Sequence, residues 1–287
     1  MKPVRDFLEL IKFEHTIFAL PFAYLGMLLA AGGWPTWSQF IWITIAMAAA
    51  RTLAMAANRI ADRWIDARNP RTAQRPLVTG RISVRTAWVG TLIAAAILTL
   101  AAWQLSPLAF RLLPLAFLFL IGYSFTKRFT WLSHFILGFT DGLAPVGAWV
   151  AIRNSLFTSD DLPAWILLAV VTFWIGGFDL IYACQDVAFD RQEGLQSIPA
   201  KFGVNFALSL SSISHVLTLL LLVTLGFVSR LGWPYWIGLI LVTGMLIWEH
   251  RLIHPEDLSR IDVAFFNINS YISITLFLAI LGSLYLS

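Results

Sequence analysis

Asn58-Arg-Ile-Ala-Asp62-Arg-Trp-Ile-Asp66 follows directly after a long apolar run that spans residues 40–57. Its polar side chains recur every four residues, so a helix places Asn58, Asp62 and Asp66 on one face, with neighbouring Cβ atoms about 5–6 Å apart. Two carboxylates held this close repel each other, and a bound cation removes the repulsion. Mg²⁺ prefers oxygen ligands such as carboxylates and amides. The stretch, which we name the first ladder, therefore predicts a metal-binding helix end.

The same spacing returns later in the chain. Tyr182, Asp186 and Asp190 form a second ladder at the end of another apolar run, with Asp179 one turn before it. Both of its aspartates follow those of the first ladder at the same offset of 124 residues. Two acidic helix ends in equivalent positions predict a pair of metal sites. The alternative is that both are ordinary solvated helix ends.

The composition is typical of an integral membrane protein. The 287 residues are 59% hydrophobic and only 13% charged, which differs strongly from soluble domains. A membrane helix needs about 20 apolar residues. Nine stretches qualify, near residues 16–33, 38–58, 86–104, 107–124, 133–152, 164–184, 206–228, 234–248 and 264–285. We predict an all-α, single-domain protein over residues 1–287, with nine transmembrane helices. Helices 1–4 and 5–8 form a pseudo-repeat, and helix 9 is added to it.

Basic residues predict how the chain is oriented. The segments on one side hold most of the Lys and Arg, whereas the other side has only Arg111, Arg153 and Arg230. The positive-inside rule therefore places the N-terminus in the cytoplasm, the C-terminus outside, and both ladders at the cytoplasmic face of the inner membrane. These loops also explain the net charge of +4, so we expect no nucleic-acid partner. The only cysteine, Cys184, excludes an internal disulfide and is interpreted as a packing residue.

Further cationic and aromatic residues lie near the ladders in the sequence. Arg71 and Arg75 lie in the long loop after helix 2, and Lys201 lies in the corresponding loop after helix 6. Tyr123 and Lys127 are four residues apart at the inner end of helix 4 and share a face. Guanidinium groups suit phosphate oxygens. Alternatively, the arginines only reflect the positive-inside bias of the loops, Tyr123 is an ordinary interfacial tyrosine, and Lys127 is a lysine that snorkels to the membrane surface.

Two charged residues lie inside apolar runs. Arg51 belongs to helix 2 and Asp141 to helix 5. An intramembrane charge is costly unless it is paired or faces a wet cavity, so these two residues either pair with each other or serve the function. Lys12, at the entrance to helix 1, is also placed to attract an anionic group. A cationic residue such as Lys12, Arg51 or Lys127 can hold a carboxylate of a substrate.

Together these features predict that the protein binds a polyprenyl diphosphate. Metal and cations would stabilise the leaving diphosphate, and the bundle would hold the apolar tail. The allylic carbon would then alkylate an electron-rich acceptor, with Tyr123 or Tyr182 stabilising the developing cation. A membrane transporter and a metal-binding scaffold without activity are the rival interpretations. A transporter predicts polar groups across the whole membrane, but nearly all acids here cluster on one side.

The same residues resemble the UbiA superfamily of intramembrane prenyltransferases, and the resemblance covers most of the chain. Its motifs here are Asn58-x3-Asp62-x3-Asp66, Arg75-Pro-Leu-x2-Gly80, Tyr123-x3-Lys127, and Asp179-x2-Tyr182-x3-Asp186-x3-Asp190 followed by Ser197. The resemblance implies a central cavity among nine helices, cap loops after helices 2 and 6, and Mg²⁺-dependent transfer of a polyprenyl group. Arg59 and Tyr182 stand where the family often has acidic residues, which leaves the ligand set open.

The motifs, taken with the residue chemistry, assign expected roles. The implied Mg²⁺ ligands are Asn58, Asp62, Asp66, Asp179, Asp186 and Asp190. The expected catalytic residues are Asp62, Asp66, Asp186, Asp190, Lys127 and Tyr123. Diphosphate contacts are expected from Arg71, Arg75, Lys127 and Lys201, and acceptor contacts from Lys12, Arg51 and Tyr182.

Two runs of sequence are similar to one bacterial branch of the family. Residues 12–21, Lys-Phe-Glu-His-Thr-Ile-Phe-Ala-Leu-Pro, and residues 182–186, Tyr-Ala-Cys-Gln-Asp, resemble 4-hydroxybenzoate polyprenyltransferases. Some members of that branch are associated with the futalosine route to menaquinone. The resemblance therefore implies quinone biosynthesis, ubiquinone or menaquinone, with 4-hydroxybenzoate or 1,4-dihydroxy-6-naphthoate as the aromatic hydroxy-acid acceptor. A family member with another acceptor is the remaining alternative.

Overall fold

A computed structural model describes residues 2–261 and 263–286 of the chain. The side chains of residues 2–4, 13–19 and 265 lie outside this description. Most of the branch motif over residues 12–21 therefore falls on side chains that are not described. The described part contains helices and no strand, in agreement with the predicted all-α class.

Within the described residues, the long helices lie close to the apolar runs identified in the sequence. They are α2 (Phe13–Ala31), α3 (Trp37–Ala61), α5 (Val84–Leu105), α6 (Pro107–Thr126), α7 (Ser133–Arg153), α8 (Leu162–Ala183), α11 (Val204–Val228), α12 (Trp233–Leu252) and α13 (Asn269–Leu286). The short helix α1 (Lys2–Leu10) precedes them, and three more lie between them: α4 (Arg63–Arg68), α9 (Val187–Gln192) and α10 (Ile198–Phe202). Single 3₁₀ turns at Ser159–Asp161 and Cys184–Asp186 flank α8, and a π-helical turn at Val263–Ile268 precedes α13.

Helix boundaries follow from local chemistry. Thr36 accepts a hydrogen bond from the Gln39 amide and forms a capping box at the start of α3. The Ser106 side chain accepts a hydrogen bond from the Ala109 amide and caps α6, directly before Pro107 at its first position. α2 ends at Gly32, whose positive φ of 63° suits a residue without Cβ. These signals fix where each apolar run begins and ends.

The chain is a multi-pass membrane protein. Within the described residues, seven helical segments are long and apolar enough to cross a membrane, and Leu20–Ala31 is a shorter apolar helix. Large apolar side chains such as Leu92, Leu118 and Ile240 are exposed on the outer faces of these helices, where lipid replaces water. The count of nine spans and the orientation of the termini stay predictions.

The helices pack as two groups that share α2 and α7. One group joins α2, α7, α8, α11, α12 and α13, and its largest core cluster includes Trp174, Tyr235 and Leu167. The other group places α3, α5 and α6 against α2 and α7. The first group is densely filled, whereas the second encloses a large cavity. The cavity is therefore bounded on one side by the rigid core.

Close helix contacts in the core depend on glycine. A Cβ at Gly26 of α2 would overlap the backbone of Pro145 in α7, and a Cβ at Gly138 of α7 would overlap the backbone of Thr172 in α8. Small residues permit such close approach of membrane helices. Helices α2, α7 and α8 are thus packed closely enough for side chains of one to be excluded by the backbone of the next.

Short segments cover the ends of the helices that carry the ladders. Arg81 in the loop after α4 pairs with Asp6 and Glu9 of α1, and Leu10 packs against Leu77 of the same loop. Arg68 of α4 pairs with Glu193 after α9 at 2.6 Å. The loops after α3 and α8 are therefore joined to each other and to α1 over one end of the bundle.

We expect Gly138→Ala to destabilise the protein, because the new methyl group meets backbone that cannot move aside. Overpacking of this kind costs about 1–3 kcal/mol. Gly244→Ala is the matched control, since no described atom lies within 4 Å of a Cβ there. Thermal unfolding of the detergent-solubilised variants measures the effect. An unchanged melting temperature for Gly138→Ala would contradict the proposed backbone contact between α7 and α8.

Candidate active site

The first ladder lies across a helix break. α3 ends at Ala61 and α4 begins at Arg63, so Asp62 is the junction residue. The backbone amides of Asp62 and Asp66 still bond to the carbonyls four residues before them, at 2.9 and 2.7 Å. Asn58 donates to Asp62 Oδ2 at 2.9 Å. The predicted stacking on one face is therefore kept, although the helix is not continuous.

The second ladder has the same local structure. α8 ends at Ala183, one 3₁₀ turn follows, and α9 begins after Asp186. The backbone angles of Asp186 (φ −99°, ψ 6°) match those of Asp62 (φ −95°, ψ 6°). Asp66 and Asp190 both lie in the first turn of the short helix that follows. The constant offset in sequence therefore corresponds to a repeated helix–break–helix structure.

Each ladder carboxylate is paired with a cation. Asp62 contacts Arg128 at 2.9 Å, Asp66 contacts Arg75 at 2.6 Å, Asp186 contacts Arg71 at 2.6 Å, and Asp190 contacts Lys127 at 2.8 Å. Asp66, Asp186 and Asp190 are buried. Buried carboxylates require such partners because unpaired charge is expensive away from water. Arg128 is the one cation of this set that the sequence reasoning missed, although it adjoins Lys127.

Lys127 and Arg128 bring the two ladders together. They are consecutive residues at the end of α6, yet Lys127 binds the second ladder and Arg128 binds the first. The carbonyl of Lys127 also accepts from the amide of Gln196, in the loop after α9. Both ladders therefore meet at the C-terminal end of α6, as a shared site requires.

Arg71 forms a second bridge between the ladders. Its guanidinium binds both carboxylate oxygens of Asp186 and donates to the Tyr182 hydroxyl at 2.7 Å, while Asn69 beside it donates to Asp186 at 3.2 Å. Burial disfavours the charged guanidinium, but the contacts with Asp186 raise the pKa of Arg71 above its ordinary value. The loop after the first ladder is thus anchored on the second.

Below the ladders lies a cavity of about 1110 Å³. Its wall is mostly apolar and comes from α2, α3, α5, α6, α7 and α8. The polar side chains that line it include Lys12, Arg51, Arg59, Arg71, Arg75, Tyr123, Asp141, Asp179, Tyr182 and Asn269. Most of the predicted diphosphate and acceptor residues therefore face one continuous space. The four ladder aspartates are not among the described residues that line it, but Asp66 and Asp186 are held by Arg75 and Arg71, which are.

Arg51 and Asp141 both face this cavity. In the described part of the chain they form no ion pair within 4.0 Å, so the alternative that they pair directly is not what the structure shows. Among the described side chains and backbone, no hydrogen-bond partner reaches Arg51 Nε. An intramembrane arginine that lines a cavity and has a buried N–H without a hydrogen-bond partner is a candidate ligand for an anion.

Asp179 has a partner that the sequence reasoning missed. His134 at the start of α7 lies 2.7 Å from Asp179 through Nδ1, and its Nε2 accepts from the backbone amide of Ile198 in α10. Asp179 lines the cavity one turn before the second ladder. Its expected role as a metal ligand stays a prediction, since its carboxylate is held by His134. A histidine 45 residues away gave no signal in the spacing.

Two of the lysines predicted to contact substrate lie in different places. Lys12 lines the cavity mouth together with Glu9 and Arg75. Lys201 does not join them: its ammonium lies beside the rings of Trp131 and Phe202, and it lines a separate surface pocket. Lys201 follows the second ladder in sequence, but α10 turns it away from the cavity.

The donor set fits a hard divalent cation, although the carboxylates are not gathered around one point. Four carboxylates and the Asn58 amide supply the oxygen ligands that Mg²⁺ prefers. In the described residues, no group of three His, Cys, Asp or Glu side chains is close enough to hold a metal. Each aspartate is held by its cation instead, so metal binding requires exchange of these partners.

Comparison with known proteins gives a consistent result. The model of the UbiA prenyltransferase family matches residues 19–271. A 4-hydroxybenzoate octaprenyltransferase from Pseudoalteromonas translucida is 30% identical over 260 residues, which covers 91% of this chain and 87% of the relative. The enzyme of that name from Cupriavidus necator is 33% identical over 245 residues, which covers 83% and 82%.

Solved structures share the fold. A UbiA homologue from Aeropyrum pernix K1 in its apo form superimposes with a TM-score of 0.85 at 35% identity, covering 93% of this chain and 97% of that one. A UbiA homologue from Archaeoglobus fulgidus bound to GPP and Mg²⁺ gives a TM-score of 0.70 at 19% identity, covering 96% and 99%.

We expect Asp62→Asn to stabilise the metal-free protein at neutral pH. Burial raises the pKa of Asp62 above its ordinary value of 3.8, and the charge of Asp66 adds to this, although Arg128 opposes it. A raised pKa means that ionised Asp62 costs stability above the folded pKa, and that this cost disappears as the pH falls to 3.8.

Melting curves in EDTA at pH 7 and pH 4 measure this effect. The advantage of Asp62→Asn is expected at pH 7 and should shrink at pH 4. A variant that melts below the wild type at pH 7 would show that the pair with Arg128 outweighs the cost of burial.

Proposed function

The chain belongs to the UbiA prenyltransferase family and is a polyprenyltransferase, and we propose that it transfers a polyprenyl group from a polyprenyl diphosphate to an aromatic hydroxy acid. The preferred acceptor in this proposal is 4-hydroxybenzoate, in ubiquinone biosynthesis. The relatives named 4-hydroxybenzoate octaprenyltransferase support that choice. The futalosine-route acceptor, 1,4-dihydroxy-6-naphthoate, is also a phenolic carboxylic acid and is the alternative.

The observation that carries the proposal is the continuity between a charged mouth and an apolar cavity. Arg71, Arg75 and Tyr182 at the mouth line the same space as Leu98, Leu112 and other apolar side chains deeper in the bundle. A polyprenyl diphosphate has the matching distribution, with an anionic head and an apolar tail. A transporter path would need polar groups along its length, and the wall beyond Arg51 and Asp141 is apolar.

The diphosphate is proposed to bind between the ladders. Arg71 and Arg75 hold buried carboxylates and also face the cavity, so they can pass from these carboxylates to phosphate oxygens without leaving the site. Guanidinium groups bind phosphate in a bidentate manner, and Lys127 adds a further cation from the side of α6. Mg²⁺, bound by Asn58 and the four ladder aspartates, would neutralise the diphosphate as it leaves.

The transfer breaks the allylic C–O bond of the donor and forms a C–C bond to the acceptor ring. The bonding electrons leave with the diphosphate, and the ring carbon then loses a proton. Tyr123 and Tyr182 line the cavity near its mouth, where their rings can stabilise the cationic carbon. Asp141 and Asp179 are carboxylates that line the same cavity, so they are placed to receive the proton. The apolar wall limits access of water to the cation.

The acceptor carboxylate is proposed to bind Arg51. Its Nε has no hydrogen-bond partner among the described groups, and Asp141 lies on the same cavity wall. A carboxylate bound there would place the phenol ring between the mouth and the apolar tail pocket. Lys12, at the mouth, is the second candidate for this contact. In this proposal the active site opens to the cytoplasmic side of the inner membrane, as the basic residues of the loops predict.

Replacing any one of Asp62, Asp66, Asp186 or Asp190 with Ala is expected to reduce Mg²⁺-dependent turnover by at least about 100-fold. Loss of groups that only support metal ligands already costs about 10–100-fold. Turnover of octaprenyl diphosphate and 4-hydroxybenzoate by purified protein measures the effect. The shift in melting temperature on adding Mg²⁺ and donor gives a second readout that needs no acceptor.

Asp160→Ala is the matched control, because Asp160 lies at the opposite end of the bundle with 76% of its side chain exposed. Its turnover and thermal shift should equal those of the wild type. Normal turnover in any one ladder variant would remove that residue from the proposed metal site. Wild-type protein that transfers no prenyl group to either aromatic acid would contradict the proposed acceptor class.

Arg51→Gln should raise the KM for the acceptor by about 10–100-fold, because a hydrogen bond to a charged group contributes about 1.5–3 kcal/mol. The KM for the donor should change little. Steady-state kinetics with each substrate varied in turn separates the two effects, and Arg111→Gln, on an exposed surface of α6, serves as the control. Equal changes in both constants would indicate a structural role for Arg51 instead.

A further inference from the structure

The cavity continues well beyond the residues that the chemistry uses. It passes the level of Arg51 and Asp141 and reaches Leu105 at the far end of α5, Ala109 at the start of α6, and Phe157 in the loop after α7. These residues lie at the end of the bundle opposite the ladders. A tail that enters at the mouth can therefore cross the whole bundle.

Gly147 of α7 lies on this path. It is six residues beyond Asp141, which corresponds to a rise of about 9 Å along the helix. It lines the cavity and is exposed, while the residues on either side of it, Val146 and Ala148, are buried. A Cβ built at Gly147 meets no described atom within 4 Å. The empty space next to Gly147 therefore belongs to the cavity.

Packing does not explain this glycine. On the same helix, a Cβ at Gly138 or Gly142 would collide with the backbone of α8, so those two positions need glycine for close contact. Gly147 makes no such contact and has no positive φ. In a helix interior glycine costs about 1 kcal/mol relative to alanine. A glycine at position 147 is explained if any larger side chain there would obstruct a ligand that enters the cavity.

We infer that Gly147 determines the longest prenyl donor that this enzyme accepts, by leaving open the part of the cavity through which a long tail passes. The inference rests on the proposed function, since it concerns the tail of the same donor. The cavity lining combines small residues, such as Ala46, Ala116 and Ala144, with larger apolar ones such as Leu98, Leu112 and Leu143. A large side chain at Gly147 would project among them and close the path. A donor whose tail ends before this level would be unaffected.

The test compares Gly147→Leu and Gly147→Ala with the wild type, using geranyl diphosphate and octaprenyl diphosphate as donors and 4-hydroxybenzoate as acceptor. Gly147→Leu should keep kcat/KM for the geranyl donor within about twofold and lower it for the octaprenyl donor by at least about 10-fold, since pocket fit discriminates by about 10–200-fold per methylene. Gly147→Ala should show a smaller loss confined to the octaprenyl donor.

Gly244→Leu is the matched control. Gly244 lies on α12, has no described atom within 4 Å of its Cβ, and does not line the cavity. It should leave the preference between donors unchanged. An equal loss for both donors in Gly147→Leu, or undiminished use of the octaprenyl donor, would overturn the inference.

A binding measurement separates this inference from the proposed function. The melting temperature of each variant is recorded with Mg²⁺ and either donor, in the absence of any acceptor. Stabilisation of Gly147→Leu by the geranyl donor but not by the octaprenyl donor supports the inference even if neither aromatic acid is prenylated. Equal stabilisation by both donors would overturn it even if 4-hydroxybenzoate is the acceptor.

Discussion

The site depends on the pairing of buried carboxylates with cations at one end of a membrane bundle. Asp66, Asp186 and Asp190 are nearly inaccessible to solvent, and a buried carboxylate without a partner would cost several kcal/mol. Arg75, Arg71 and Lys127 supply these partners. Arg71 and Lys127 hold carboxylates that belong to other segments, and Arg75 holds Asp66 across the turn that follows α4. The pairs therefore also hold these segments together over the cavity. Charge neutralisation and closure of the site are thus the same interaction.

The two aspartates of each ladder are not carried by one continuous helix. The junctions at Asp62 and Asp186, with nearly identical backbone angles, instead start a short helix whose first turn contains the second carboxylate. The N-terminal end of a helix favours negative charge. The same helix–break–helix structure appears at both ladders, while the pseudo-repeat of helices 1–4 and 5–8 stays a prediction.

The sequence was sufficient for the helices, because each apolar run is long and is bounded by a cap, a glycine or a charged loop. It was also sufficient for the ladders, because a spacing of four residues survives the junction at Asp62. It did not predict the partners that come from distant segments. His134 contacts Asp179 across two helices, and Arg128 contacts the first ladder although its neighbour Lys127 contacts the second. Lys201 shows the opposite error, since proximity in sequence placed it in the site while α10 turns it to the surface.

The ion pairs of the ladders also affect how a diphosphate and Mg²⁺ would bind at the mouth of the cavity. Each of the four ladder carboxylates is matched by a cation, so Mg²⁺ alone would have to displace a paired cation to reach them, and a diphosphate alone would have to compete with a carboxylate for Arg71 and Arg75. If both bind together, the charge balance is conserved: the ladder aspartates would hold Mg²⁺, and Arg71 and Arg75, released from Asp186 and Asp66, would bind the phosphate oxygens. Under the proposed function the two ligands should therefore bind cooperatively, each providing the partner that the other displaces. The apolar cavity behind the mouth contributes affinity only for the prenyl tail. Recognition of the diphosphate head therefore depends on the exchange of partners between the ladder aspartates and the arginines.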